Sequence, residues 1–290
     1  MSSRKYELLL ASVIAARATS FIFTKMSLAS LDTFNLLALR FLSAFILLLV
    51  IFPKRVSHIT KQDLLAGCIV GLMYFLVMSC ELTALHTADT TTVSLLENCS
   101  IIFVPLFGAI LAKKLPAPMT ICSAVMALTG VFCLGAQIGS FTIGMFWGLM
   151  SALLYAAAIL ITDRVAHRDC DSLCIGIAQV GSIAVYALIA SFIFEQPRIP
   201  TDGGSILMIL ELAIVCTGFG FTLQPVAQSR ISADRAGLFC AINPAIATLL
   251  GAVVLHEKLG LLSIIGLVLI VSSIALPYLK VKNAKDNLSA

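Results

Sequence analysis

Six charged residues stand inside apolar stretches of this 290-residue sequence, and their side chains are the best suited to chemistry. Three are basic and three are acidic: Arg17, Lys25, Arg40, Glu81, Glu97 and Glu211. A charge at the centre of a membrane-spanning helix costs about 2.5–3.5 kcal/mol on insertion scales, so each needs a partner or a function. Because their formal charges cancel, we expect them to pair with one another or with a charged ligand.

Arg17 and Glu97 are predicted to lie near the middle of the membrane. One hypothesis is that Arg17 binds a substrate carboxylate, while Glu97 binds the substrate's amino group or takes up a proton. The alternative is a structural ion pair between the two residues. Removing one partner of a buried pair is strongly disruptive, so loss of activity alone would not separate these readings.

The other four charged residues are predicted to lie in the outer half of the membrane. Arg40 and Glu81 are candidates for coupling or gating, although Glu81 also fits an ordinary interfacial acid. Lys25 is close enough to the end of its span for its stem to reach the interface, which favours a structural role.

Uncharged polar and aromatic residues within the apolar stretches are further candidates for the wall of a binding cavity. They are Phe21, Tyr74, Asn98, Tyr155, Phe219, Gln224 and Asn243. The asparagine amides can bond unwound backbone or substrate, whereas packing against lipid or other helices is the alternative for the aromatic rings. Pro244 lacks a backbone donor and is a candidate gating hinge, with a static kink as the alternative.

The elements that carry these residues must be membrane-spanning helices. Hydrophobic residues make up 60% of the chain and charged residues 12%, far from the composition of a soluble domain. A bilayer core needs about 20 apolar residues per helix. Hydropathy therefore predicts an all-α membrane protein with ten transmembrane helices, at about 7–28, 33–52, 64–84, 90–112, 117–136, 143–163, 172–194, 204–227, 236–255 and 260–279.

The basic residues predict the orientation of these helices. Of 19 lysines and arginines, 14 fall in the N-terminus, the even-numbered loops and the C-terminal tail, two fall in the opposite loops, and three lie within spans. By the positive-inside rule, both termini are cytoplasmic and the protein is a multi-pass protein of the cytoplasmic (inner) membrane.

An internal repeat divides the chain into two halves. Leu85-His-Thr-Ala-Asp89 and Arg230-Ile-Ser-Ala-Asp234 are 145 residues apart, as are Asn98 and Asn243. The halves, 1–140 and 141–290, would each carry five helices. Because five is odd, the second copy must be inverted in the membrane, an arrangement that places a binding site near the midplane between the halves.

The sequence resembles the bacterial EamA type of the drug/metabolite transporter superfamily over nearly its whole length. The motifs that carry the resemblance are Ser20-Phe21 through Lys25, Leu39-Arg40-Phe41, Tyr155-Ala156, Asn243-Pro244, Leu255-His-Glu-Lys-Leu259 and the glycine-containing stretch around Gly266. The resemblance implies two EamA-like repeats of five helices and a secondary transporter, usually an exporter of amino acids or related metabolites.

The sequence departs from the family pattern at two places. Ala16-Arg17 stands where the family often has Trp-Gly, and Lys113-Lys114 replaces an expected glutamate. The first departure puts a cation where a small residue is usual, so the pocket is expected to suit an anionic or zwitterionic substrate.

Other functional classes fit less well. The four histidines show no metalloprotease spacing, the nine cysteines are scattered, and no phosphate-binding GxxxxGK[ST] loop is present, so we expect no enzyme, cofactor or metal. A channel would need a continuous polar stripe or a filter loop. A flippase for a lipid or lipid-linked amphiphile remains the alternative. The expected partners are a small-molecule substrate, membrane lipids and, as a candidate coupling ion, protons, with no nucleic acid; the protein would act as a monomer or homodimer.

Overall fold

The computed structural model describes residues 3–88, 90–116, 118–134, 142–166 and 171–239, together with single residues and short runs between 242 and 276. All regular structure among these residues is helical. The α-helices are α1 (Ser3–Ala18), α2 (Ser20–Ser27), α3 (Thr33–Ile51), α4 (Pro53–Val56), α5 (Lys61–Thr87), α6 (Thr90–Glu97), α7 (Ser100–Ala112), α8 (Pro118–Leu134), α9 (Ile143–Ala166), α10 (Ser172–Phe194), α11 (Gly203–Glu211), α12 (Thr222–Gln228) and α13 (Ala233–Phe239). A π-helix, Leu212–Phe221, joins α11 to α12.

Seven helical stretches in the described chain are long and apolar enough to cross a membrane. They are Arg4–Ser27, Thr33–Ile51, Lys61–Thr87, Val93–Ala112, Ile143–Ala166, Ser172–Phe194 and Gly203–Gln228. These stretches correspond to seven of the predicted spans and confirm an all-helical membrane protein. The predicted fifth span contains the shorter α8, and the ninth and tenth spans lie largely outside the described residues.

Short polar motifs fix the ends of several helices. Thr60 and Asp63 form a capping box at the start of α5, and the Asp171 carboxylate accepts from two backbone N–H groups at the start of α10. Asp202 caps α11 in the same way, and the Ser205 N–H donor holds the pKa of this carboxyl below its ordinary value. These caps satisfy backbone donors that would otherwise have no partner.

Helix α10 is at the centre of the packing and contacts α3, α5 and α12. Glycines allow the close approach. An added Cβ at Gly67 of α5 would lie 2.4 Å from the Ala178 Cβ, and one at Gly176 of α10 would lie 2.1 Å from the Thr222 carbonyl oxygen. Small residues of this kind let helix backbones approach in a membrane, where van der Waals packing and hydrogen bonds hold helices together.

Three irregularities interrupt the long helices. Thr19 separates α1 from α2, and Asn98 and Cys99 separate α6 from α7, which confirms the predicted polar break at Glu97-Asn98. The third irregularity is the ten-residue π-helix. Irregular helical turns of this type occur often at functional sites, and all three lie beside charged residues that the sequence singled out.

The contact between α10 and α12 gives a stability prediction. We expect Gly176→Ala to lower the free energy of unfolding by about 1–3 kcal/mol, because the added methyl group cannot fit against the Thr222 backbone. The control is Gly203→Ala at the start of α11, where an added Cβ meets nothing within 4 Å. Thermal or denaturant unfolding of the purified protein in detergent measures both variants; equal stability would contradict the packing argument.

Candidate functional site

Arg17, at the end of α1, is the centre of a buried polar cluster. Its side chain is desolvated, with the residue only 8% exposed. Nη1 donates to the Tyr155 hydroxyl of α9 at 3.0 Å and to Oε1 of Gln224 in α12 at 2.8 Å. Nε2 of Gln224 in turn donates to the Tyr74 hydroxyl of α5. One guanidinium thus connects helices from both halves of the chain.

Aromatic rings surround the Arg17 guanidinium. Its Cζ lies 4.2 Å from the ring centroid of Phe221, 5.3 Å from that of Tyr155 and 5.4 Å from that of Tyr74. Tyr74 meets the other two rings edge-on, with centroid separations of 5.9 and 5.3 Å. Attraction between a cation and aromatic faces is strongest where water is excluded, so the rings contribute to holding the charge inside the protein.

The groups that bind Arg17 directly are neutral. The ion pairs found in the described chain join other residues, and none links Arg17 to Glu97, so the direct structural pair considered from the sequence is absent there. Tyrosine hydroxyls, an amide and aromatic faces solvate the cation without neutralising it. A buried cation of this kind is strongly disposed to bind an anion.

Arg40 of α3 is a second desolvated arginine, only 1% exposed. Its Nε donates to Oγ1 of Thr217 at 2.6 Å, and its Cζ lies 5.9 Å from the Phe221 centroid and 5.4 Å from that of Phe41. Nη2 is buried and has no hydrogen-bond partner in the part of the chain that the structure describes. The π-helix supplies both Thr217 and Phe221, so this one element contacts both arginines.

The two arginines open onto one cavity with two glutamates. It is lined by Arg17, Ser20, Phe21, Arg40, Met78, Glu81, Glu97, Phe221 and Asn243. Its accessible volume is about 10 Å³, room for about one water molecule. Pockets that hold small metabolites are far larger. The described conformation is therefore closed around the charges, and a substrate must enter through a more open one.

Oxygen acceptors complete the wall of the cavity. Glu81 and Glu97 are buried, and Oε2 of Glu97 lacks a hydrogen-bond partner among the described residues, as does Oδ1 of the buried Asn243. Asn98, directly after Glu97, donates from Nδ2 to the Ser94 carbonyl at 2.6 Å and leaves its own Oδ1 without a described partner. Such acceptors can take a proton donor, such as an ammonium group or water.

Most of the residues singled out from the sequence meet here. The cluster and its cavity contain Arg17, Phe21, Arg40, Tyr74, Glu81, Glu97, Tyr155, Gln224 and Asn243, with Asn98 beside them. Phe219 is not brought to the cluster and is 37% exposed. Pro244 lies outside the described residues.

Glu211 and Lys25 make contacts outside the cavity. Oε1 of Glu211 accepts from the Thr19 hydroxyl at 3.2 Å, beside the interruption between α1 and α2. Nζ of Lys25 donates to the backbone carbonyls of Leu85 and Ala88 at the end of α5. The latter contact agrees with the structural role that the sequence favoured for Lys25.

Sequence reasoning missed Phe221, Thr217, Ser20 and Met78. Phe221 and Thr217 lie on the π-helix, whose wider turns break the 3.6-residue period used to assign helix faces. Ser20 and Met78 are small or apolar and carry no signal in sequence beyond their proximity to Arg17 and Glu81. Two aromatic residues two positions apart, Phe219 and Phe221, could not be separated without the geometry.

Comparisons with known proteins agree with this architecture. The EamA-like transporter family model matches the chain twice, over residues 4–136 and 142–279. An uncharacterized transporter of Archaeoglobus fulgidus is 25% identical over 286 residues, covering 94% of this chain and 96% of that protein. Another, of Clostridium kluyveri, is 23% identical and covers 89% and 87%. A protein of known crystal structure superposes with a TM-score of 0.79 at 21% identity over 98% of this chain and 99% of its own, and so shares the fold.

The two neighbouring phenylalanines give a matched test of the cluster. We expect Phe221→Leu to lower the free energy of unfolding by about 1–3 kcal/mol, because it removes the ring that contacts both arginines. Phe219→Leu makes the same chemical change at an exposed ring and should stay within about 0.5 kcal/mol of the wild type. Unfolding in detergent compares them, and a larger loss for Phe219→Leu would contradict the assignment of Phe221.

Proposed function

The chain belongs to the EamA-like transporter family, and we propose that it is a secondary transporter that exports small anionic or zwitterionic metabolites, such as amino acids, across the cytoplasmic membrane. One observation supports the substrate class: a desolvated arginine, bound only by neutral groups in the described chain, lines a closed cavity inside a bundle of membrane-spanning helices. An enzymatic role has no support from the family or from the site.

Arg17 is proposed to bind a carboxylate of the substrate. A guanidinium presents several donors in a planar fork that matches a carboxylate, and Nη1 alone accounts for its hydrogen bonds to Tyr155 and Gln224. The aromatic rings would cover the apolar part of the same molecule. In the closed conformation these neutral contacts hold the cation in place until an anion replaces some of them.

Glu97 and Asn243 are proposed to bind the positively charged part of the substrate. Each has a buried oxygen without a described partner, and both face the cavity that Arg17 faces. An amino acid would then lie with its carboxylate toward Arg17 and its ammonium toward Glu97. Glu97 is alternatively the site of a coupling proton, and the two roles predict different results below.

We further propose ten transmembrane helices arranged as two inverted five-helix repeats, 1–140 and 141–290. The two family matches, over 4–136 and 142–279, support this division because they meet near the same boundary. An inverted pair allows alternating access, in which the halves rock about a site near the midplane. Both termini would be cytoplasmic, and Pro244 and Glu81 remain candidates for gating or coupling.

Contacts at opposite ends of the first span support a gated path. Near its start, Nη1 of Arg235 in α13 donates to Oε1 of Glu7 at 2.6 Å; near its end, Lys25 bonds the terminal carbonyls of α5. Arg17 lies between these two ties, next to the interruption at Thr19. Release of one tie at a time would expose the cavity to one side at a time. A lipid flippase is less well supported, because the cavity wall carries charges on all sides.

The carrier function can be tested in proteoliposomes with a panel of labelled amino acids and organic acids. We expect Arg17→Gln to reduce transport at least about tenfold, the loss of one charge-assisted contact. Arg198→Gln, which removes an exposed arginine, is the matched control and should keep transport near the wild-type rate. Retained folding is checked by size-exclusion profile and melting temperature. Unchanged flux in folded Arg17→Gln would contradict the carboxylate assignment.

Glu97→Gln separates the two roles of this acid. If Glu97 carries the coupling proton, the variant should lose accumulation driven by a pH gradient while still exchanging labelled for unlabelled substrate. If Glu97 only binds the ammonium group, exchange itself should fall. The charged side chains that share its cavity, Arg17, Arg40 and Glu81, are unchanged in this comparison. Normal gradient-driven accumulation by Glu97→Gln would rule out the proton role.

A further inference from the structure

The second arginine of the cavity has binding capacity that the proposed carboxylate site does not use. Arg40 is buried, its Nε is bound to Thr217, and its Nη2 has no partner among the described residues. Leaving a charged donor buried and unbound is costly, more so than leaving a neutral one. Arg40 lines the same cavity as Arg17, so a ligand in that cavity can reach both guanidinium groups.

The separation of the two arginines suits one small molecule. Their Cζ atoms lie 4.2 and 5.9 Å from the same Phe221 centroid, so they are no more than about 10 Å apart. A short molecule with a carboxylate at each end can span that distance. No described acid forms an ion pair with either arginine, although Glu81 and Glu97 line the same cavity.

We propose that the substrate is an acidic amino acid, with one carboxylate on Arg17, the second on Arg40 and the ammonium group on Glu97. This inference rests on the proposed transport function and deepens it. Two cations account for two carboxylates, and the unpartnered Glu97 oxygen accounts for the amine. A neutral amino acid would leave Arg40 Nη2 unbound, and a simple dicarboxylate would leave Glu97 unbound. Specificity arises because the wrong substrate leaves a buried polar group without a partner.

The experiment measures binding to the full-length protein in detergent, by calorimetry or ligand-induced thermal shift. The probes are L-glutamate and L-aspartate, their amides L-glutamine and L-asparagine, and succinate. We expect the wild type to bind an acidic amino acid at least about tenfold more tightly than its amide, the value of one charge-assisted contact. Arg40→Gln should abolish that preference by weakening binding of the acid alone, and Arg198→Gln should preserve it.

Each outcome bears on the assignment. Equal binding of acid and amide by the wild type, or equal weakening of both by Arg40→Gln, would overturn it. Succinate binding as tightly as L-glutamate would also overturn it, because Glu97 would then have no ligand. Should Arg40→Gln fail to fold, the wild-type ratios and Arg40→Lys, which keeps the charge but loses the planar fork, decide the matter. Arg17-dependent transport of neutral amino acids without acidic preference would leave the proposed function standing, whereas a folded protein that binds no member of the panel and transports no metabolite would contradict both.

Discussion

The solvation of one buried cation organises much of this molecule. Arg17 is bound by a hydroxyl, an amide oxygen and aromatic faces contributed by α5, α9, α12 and the π-helix. A guanidinium inside a membrane protein is stable only if such groups replace its lost water. Because no single helix can supply them all, the requirement draws elements from both halves of the chain to one point. The cation is held in place, and its charge is left for a ligand.

Close helix packing supplies the rigid frame for that point. Helix α10 can approach α5 and α12 because Gly67 and Gly176 leave room where any side chain would collide. Gly220 does the same for the site itself, since a Cβ there would lie 2.8 Å from Cγ of Arg17. In lipid, such contacts replace the hydrophobic drive that packs soluble proteins. The frame and the site therefore depend on the same small residues.

Hydropathy and charge could predict a great deal of this from sequence, because lipid restricts a chain so strongly. The seven long apolar helices correspond to predicted spans, and charges inside spans identified Arg17, Arg40, Glu81 and Glu97 as members of one cluster. The face that each aromatic residue presents was not predictable. Phe219 was chosen over Phe221 because a π-helix gives no signal in hydropathy, and its turns rotate later residues away from the expected face.

The π-helix has a consequence for how this sequence can vary among descendants. Residues Leu212–Phe221 present Thr217 to one arginine and Phe221 to the other, so the angular offset between these two positions is fixed. Each residue of an α-helix advances its neighbours by about 100°. Loss or gain of one residue between them would turn Phe221 away from both guanidinium groups. Point substitutions elsewhere on its exposed face are tolerable, but insertions and deletions in this segment should be eliminated by selection, which makes its length a more heritable character than its composition.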